Sequence, residues 1–312
     1  MNVEGHLWTV GGYLRRRWQS VTPPPAREWG AEIDDPRVGP VRISGLFTEL
    51  DGEGPLLLVV HGLGGHCESS YAIRAAAFAV AKRLSCLRIN LRGADRRGED
   101  VYHAGLTADL HAAVASPELA RFQQILVLGY SLGGHVALRF AVETVDPRVR
   151  AVAAVCSPLL LAPGARAIDS PSAWLYRRYL LANLVECYEK VAARRPVPAP
   201  LAEVRRLRRI EQFDDLVVAP RHGFADAQDY YAQASVGTVL DGLARPALLV
   251  VSETDPMVPP AAIRPVLDGR PPLEVKWVEG GGHLGFDSHL DLGIEGAKGL
   301  EGQVLSWMTQ QL

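Results

Sequence analysis

A serine set among glycines at the end of an aliphatic run is the strongest chemical signal in this chain. The segment Gly129-Tyr130-Ser131-Leu132-Gly133-Gly134 follows Ile125, Leu126, Val127 and Leu128, and a helical stretch rich in Ala and Val follows it. The bare G-x-S-x-G spacing says little in a chain with 30 glycines. The strand-to-helix setting makes it informative. Small flanking residues permit a tight turn that lifts the hydroxyl above the strand ends, and the helix N-terminus behind it favours negative charge at the reacting centre. Ser131 is the candidate nucleophile. A serine hydroxyl attacks poorly at neutral pH without a base in hydrogen-bond reach. Of the nine histidines, His283 stands in Gly280-Gly281-Gly282-His283-Leu284-Gly285-Phe286, just past the last expected strand. Glycines there let a loop carry an imidazole back over the strand ends. His135 is too close along the following helix to aim at Ser131. His103, His111, His222 and His289 lack a strand-end setting, and His66 is placed to line a site. The base needs an acid to hold its tautomer. Asp255 follows an aliphatic run through Ser252-Glu253-Thr254 and is stiffened by Pro256, with Glu253 and Asp287 as alternatives on spacing alone.

Acyl transfer also needs donors for a developing oxyanion. The backbone N–H of Leu132, directly after the nucleophile, is one candidate. The loop His61-Gly62-Leu63-Gly64-Gly65 offers the second, most simply the N–H of Leu63. A phosphate-cradling reading of that loop fails because no Lys-Ser/Thr follows it. His61 and His66 do not form a helical ligand pair and no HExxH is present, so no metal and no cofactor are expected. Arg205, Arg206, Arg208 and Arg209 read as a solvated helix face.

The elements that must position these residues alternate in type. Strands are expected over 41–47, 56–60, 87–91, 125–128, 149–155, 247–251 and 273–278, and helices over 72–84, 106–114, 134–143 and 299–312. Continuous aliphatic strands separated by helices predict an α/β fold, a mainly parallel twisted sheet flanked by helices. Ligands of such sheets bind at the carboxyl ends of the strands, where Ser131, Asp255 and the 61–65 loop fall. Residues 160–235 break the alternation and predict an inserted helical cap within a single domain of 1–312. In it Tyr176, Leu180, Leu184 and Cys187 repeat at helical spacing, and Leu201, Val204, Leu207 and Ile210 read as one face of a second helix. Pro23, Pro24 and Pro25 mark the end of a leading arm.

Composition fits this reading. Hydrophobic residues make up 48% of 312 residues, charged residues 22%, and the formal net charge is -2. No basic tail exists to grip phosphates, so nucleic acid is not an expected partner. Cys67, Cys86, Cys156 and Cys187 are dispersed and form no CxxC pair, which argues against a disulfide framework or zinc ribbon. No apolar run approaches the ~20 residues of a membrane span. The first thirty residues lack a secretory h-region, because Gly11, Gly12 and Arg15 to Arg17 interrupt the only apolar stretch. The expectation is a soluble cytoplasmic enzyme acting on a small molecule, with peripheral membrane contact and oligomeric state left open.

Further motifs resemble the YheT-like branch of the α/β-hydrolase superfamily, relatives of the eukaryotic abhydrolase-domain lipases. His61-Gly62-Leu63-Gly64-Gly65 with Glu68-Ser69 and Tyr71 resembles its oxyanion loop. Asn90-Leu91-Arg92-Gly93 resembles its N-x-R-G strand end, and Tyr102-His103-Ala104-Gly105 its Y-H-S-G segment with Ala104 in place of serine. Phe213-Asp214-Asp215, His222-Gly223-Phe224 and Asp229-Tyr230-Tyr231 resemble its signature before the acid strand. Gly5-His6-Leu7 and Thr9 resemble its N-terminal G-H-L-Q-T, with Trp8 replacing Gln. The resemblance implies the α/β-hydrolase fold and a triad of Ser131, Asp255 and His283, in the chain order of that fold. It thereby favours Asp255 over Glu253 and Asp287. It implies hydrolysis of short- to medium-chain carboxylic esters. Lipase, phospholipase or acyltransferase activity on the same triad is the alternative, as is a ligand-binding homologue without catalysis. The Trp8 and Ala104 departures touch substrate preference rather than the triad.

Overall fold

The computed structural model describes residues 3–18, 21–52, 54–268 and 273–312. The chain opens with helix α1 (Val3–Trp18), followed by β1 (Arg27–Asp35), β2 (Gly39–Thr48), β3 (Leu56–Val60), α2 (Ser70–Ala81), β4 (Ser85–Asn90) and α3 (Ala108–Ala115). Then come β5 (Ile125–Tyr130), α4 (Leu132–Glu143) and β6 (Val149–Val155). A helical stretch follows: α5 (Leu161–Asp169), α6 (Trp174–Ala192), α7 (Leu201–Val204), α8 (Ile210–Phe213), a π-helical turn (Asp214–Val218), α9 (Ala219–His222) and α10 (Ala227–Ala234). The chain closes with β7 (Ala247–Ser252), α11 (Pro260–Leu267), β8 (Leu273–Val278) and α12 (Leu300–Thr309).

The eight strands form one sheet in the order β1-β2-β4-β3-β5-β6-β7-β8. β1 and β2 pair antiparallel at one edge, β2 meets β4 antiparallel, and every pair from β4 to β8 is parallel. The parallel strands β3, β5 and β7 are buried along their whole length, because helices cover both faces of the sheet. Side chains alternate between those faces. Leu56, Leu58 and Val60 join Ile125 and Val127 in one core with α4, while Leu57 and Val59 join Leu126 and Leu128 in the other with α2 and α12. Each fully buried aliphatic side chain contributes about 1.5–3 kcal/mol.

The structure adds two elements to those expected and corrects a third. The leading arm, over 3–18, is a helix. Arg27–Asp35 is a strand that no aliphatic run announces: it is an edge strand whose buried residue is Trp29. The second helix expected across Leu201, Val204, Leu207 and Ile210 is two short helices, α7 and α8, broken between them. Arg205, Arg206, Arg208 and Arg209 are exposed at that break.

The stretch from α5 to α10 has its own apolar cluster, centred on Leu180, Leu184, Tyr188, Phe213 and Val217. Leu63 and Leu132, at the ends of β3 and β5, touch both this cluster and the core beneath. The helical insertion therefore sits over those strand ends. All four cysteines are free and buried. Among the described residues no helix is long and apolar enough to cross a membrane.

Candidate active site

Adjacent strands bring the predicted residues together. β3 and β5 are neighbours, with Val60 paired to Gly129, so the loop after β3 meets the turn after β5. That turn holds Ser131 at φ +53° and ψ −122°, a backbone region that side-chain-bearing residues rarely adopt. Gly129 makes it sterically feasible, since a Cβ there would lie 2.2 Å from the carbonyl oxygen of Gly133. The Ser131 N–H donates to the Val155 carbonyl at 2.8 Å, and its own carbonyl accepts from Gly134 and His135 at the start of α4.

Asp255 lies in the loop after β7 and His283 in the loop after β8. The three side chains form a continuous hydrogen-bonded line. Ser131 Oγ is 2.9 Å from His283 Nε2, and His283 Nδ1 is 2.9 Å and 3.2 Å from Asp255 Oδ2 and Oδ1. The carboxylate assigns the Nδ1 proton, which leaves Nε2 free to accept from the serine hydroxyl. Asp255 Oδ1 also accepts from the N–H groups of Met257 and Val258, at 2.8 and 2.9 Å. Asp255 and His283 are both buried. Of the alternative acids, Glu253 instead pairs with Arg264, and Asp287 accepts from the His289 N–H.

The loop after β3 shows why Leu63 differs from its neighbours. Gly62 N–H donates to the Tyr71 hydroxyl at 3.0 Å and Gly64 N–H to the Tyr102 hydroxyl at 2.8 Å. The N–H groups of Leu63 and Leu132 have no protein partner among the described residues. Two unpaired donors beside a nucleophile are what a developing oxyanion requires. His61 anchors this loop. Its Nε2 accepts from the Leu91 N–H at 3.1 Å and its Nδ1–H donates to the Gly62 carbonyl at 2.8 Å. That pairing needs a neutral ring, and burial supplies one by pulling the imidazole down to about 4.

Ser131, His283, Leu63 and Leu132 line a cavity of about 640 Å³ under the helical insertion. Its walls are mostly apolar, with Leu161, Ile168, Leu180, Leu184 and Val218 prominent. Leu175 and Tyr179 line it too and are also exposed, so apolar residues form its lip. His66 lines it as expected; His103, set aside for want of a strand-end setting, does so as well. Asp214 is a polar group on the lining, its Oδ2 accepting from the Tyr231 hydroxyl at 2.6 Å. Burial, opposed by that hydrogen bond and reinforced by Asp169 and Glu211, pushes its carboxyl up to about 7.

Ligand atoms of Cys156, Asp255 and His283 lie within 4.8 Å of one another. Those atoms are engaged elsewhere: both His283 nitrogens and both Asp255 oxygens in the line above, and Cys156 Sγ with the Leu284 N–H. Burial also holds the Cys156 thiol far above its usual range, so it does not present a thiolate. The donor set suits proton relay, not cation binding.

Thr9 was not singled out as a site residue by the sequence. It lines the cavity, and its Oγ1 accepts from the His283 N–H at 2.8 Å. The signal available was its place in the N-terminal G-H-L-x-T. Tyr71 and Tyr102, which occupy the donors flanking Leu63, likewise lie within quoted motifs whose purpose spacing does not disclose.

Comparison with known proteins agrees with this architecture. A family profile described as "Alpha/beta hydrolase family" matches residues 57–292. YheT of Escherichia coli, which bears an esterase name, is 33% identical over 271 residues, covering 83% of this chain and 77% of its own. A monoacylglycerol lipase of Saccharomyces cerevisiae is 24% identical over 291 residues, covering 88% of this chain but only 60% of its own length. Among solved structures, the Pyrococcus furiosus esterase Pf2001 superposes with a TM-score of 0.54 at 14% identity, covering 83% of this chain and 85% of that one.

Proposed function

Because the chain belongs to the alpha/beta hydrolase family, in its YheT-like branch, we propose that it is a serine hydrolase that cleaves carboxylic esters through Ser131, His283 and Asp255. The observation that carries this reading is the unbroken hydrogen-bonded line from Ser131 Oγ through His283 to Asp255, opening on an apolar cavity. Ser131 Oγ attacks the ester carbonyl as His283 Nε2 takes its proton. Asp255 holds the Nδ1 proton and stabilises the imidazolium. The N–H groups of Leu63 and Leu132 receive the oxyanion. Collapse of the tetrahedral intermediate breaks the ester C–O bond, and His283 returns the proton to the departing alcohol. Water, deprotonated by His283, then attacks the acyl-enzyme and releases the acid and free Ser131.

The acyl group we assign is a short to medium chain. The cavity falls within the range of small-ligand sites, about 300–1,000 Å³. Its aliphatic walls and the apolar lip at Leu175 and Tyr179 suit a hydrocarbon tail. The helical insertion acts as a cap that sets chain length. Turnover of p-nitrophenyl esters of increasing acyl length tests the assignment: activity should peak at short to medium chains and vanish in Ser131→Ala. Undiminished activity in Ser131→Ala overturns the mechanism, and a flat length profile overturns the role of the cap.

A further inference from the structure

Helix α1 lies outside the span matched by the family profile, yet it is wedged against both loops that carry the acid and the base. Thr9 Oγ1 accepts from the His283 N–H at 2.8 Å and donates its own proton to the Gly5 carbonyl at 2.7 Å. On the acid side, Gly5 has no room for a side chain: a Cβ there would fall 1.7 Å from the carbonyl oxygen of Thr254, the residue before Asp255. On the base side, a Cβ at Gly282 would fall 2.4 Å from both the Gly5 oxygen and Thr9 Oγ1. At Gly285 it would fall 2.2 Å from the Trp8 carbonyl oxygen. The helix backbone therefore lies directly on the histidine loop. Its outer side meets the helical insertion, where His6 Nδ1 is 3.0 Å from the Tyr176 hydroxyl and the two rings stack.

The loop needs such a support. Gly280, Gly281, Gly282 and Gly285 give it wide backbone freedom, and that freedom must be suppressed for the imidazole to bridge Ser131 and Asp255. Its other ties include the Gly282 N–H to the Gly285 carbonyl, the Leu284 N–H to Cys156 Sγ at 3.5 Å, the Cys156 thiol to the Gly282 carbonyl at 3.8 Å, and the Thr254 hydroxyl to the Gly281 carbonyl. None of these acts on His283 itself. Thr9 does.

We infer that Thr9 is a positioning residue for the base, and that α1 is part of the active site rather than a leading arm. The inference rests on the reading of His283 as base. Displacement of a reacting group by about 1 Å costs on the order of 10²-fold in rate. The hydroxyl fixes the backbone that carries the ring, and a substitution that keeps the side chain's shape on the cavity wall leaves that wall in place, so loss of the acceptor falls on kcat.

Thr9→Val keeps the shape and removes the acceptor, and Thr9→Ser keeps the hydroxyl. With a p-nitrophenyl ester, Thr9→Val should lower kcat about 10- to 100-fold with KM within about twofold, while Thr9→Ser stays within about threefold of the parent on both. Thermal melting of each variant accompanies the kinetics. If Thr9→Val is unfolded at the assay temperature, Thr9→Ala removes the same oxygen and carries the comparison. An acceptor-less variant with near-parental kcat overturns the inference. So does an equal loss in Thr9→Ser, or a loss confined to KM. Ser131→Ala separates the two claims. If it is inactive while Thr9→Val is not, only the role of α1 falls; if it stays active, the mechanism beneath the inference falls with it.

Discussion

The backbone at Ser131 offers a test of the nucleophile turn that needs no substrate. At φ +53° and ψ −122° a residue with a Cβ is strained by about 1–3 kcal/mol, whereas glycine enters that region freely. Ser131→Ala removes the hydroxyl and keeps the strain. Ser131→Gly removes both. Both variants lack the nucleophile, so their stabilities can be compared without any effect of turnover. Glycine loosens the unfolded chain by roughly 0.4–1 kcal/mol relative to alanine. Ser131 is only half-buried, so the lost Cβ contacts are few. The difference leaves Ser131→Gly more stable than Ser131→Ala by about 1 kcal/mol. Urea unfolding of the pair, fitted with a common slope, measures it. A glycine variant equal to or weaker than the alanine variant would show that the turn stores no strain, and the argument from its backbone would fail.

Asp255→Asn should lower kcat by about 10³–10⁴ with little change in KM, since the imidazole loses its tautomer control; a loss below about tenfold in steady-state assays counts against the acid's role. Asp214 makes the fold sensitive to pH. Its folded carboxyl, pushed up from 3.8 to about 7, holds a proton that the unfolded chain releases, so stability falls as pH rises through that window. Asp214→Asn should shrink the loss of unfolding free energy between about pH 5 and about pH 8 by on the order of 2 kcal/mol, and an unchanged pH dependence refutes the raised carboxyl. Arg92 is buried against Asp35, Asp100 and Asp109, and Asp109 is wholly enclosed. Arg92→Met leaves that carboxylate without its charged partner, with only the residue-92 backbone N–H still donating to it, and should cost about 3–5 kcal/mol in urea unfolding; a loss under about 1 kcal/mol would show the cluster to be dispensable.

The middle of the sheet was readable because both its faces are covered. Burial on two sides demands unbroken aliphatic runs such as Leu56–Val60 and Ile125–Tyr130. β1 is an edge strand with one neighbour, so its polar residues carry no such mark. Helix α1 escaped because Gly11 and Gly12 interrupt its pattern and its decisive glycine, Gly5, serves a contact with Thr254 far along the chain. The broken helix at 205–209 followed from reading Leu207 and Ile210 as one continuous face. Ser131, Asp255 and His283 stood out because each follows a strand legible in the sequence, and the structure hydrogen-bonds the three in a line. Thr9 acts across 274 positions of sequence from a helix with no strand-end setting. His61 stood out only as the start of a glycine loop, since its work is to anchor backbone from a buried, neutral ring. Pairings of that kind are set by the fold and leave no periodicity to read.

Covalent labelling tests the central claim most directly. A fluorophosphonate reacts with a serine only when a base withdraws its proton and an oxyanion site accepts the phosphoryl oxygen. The native protein should take up one equivalent, mapped by peptide mass to Ser131. The Ser131→Ala variant and heat-denatured protein should take up none. Native protein that stays unlabelled, or that carries the label on another residue, would contradict Ser131 as the nucleophile.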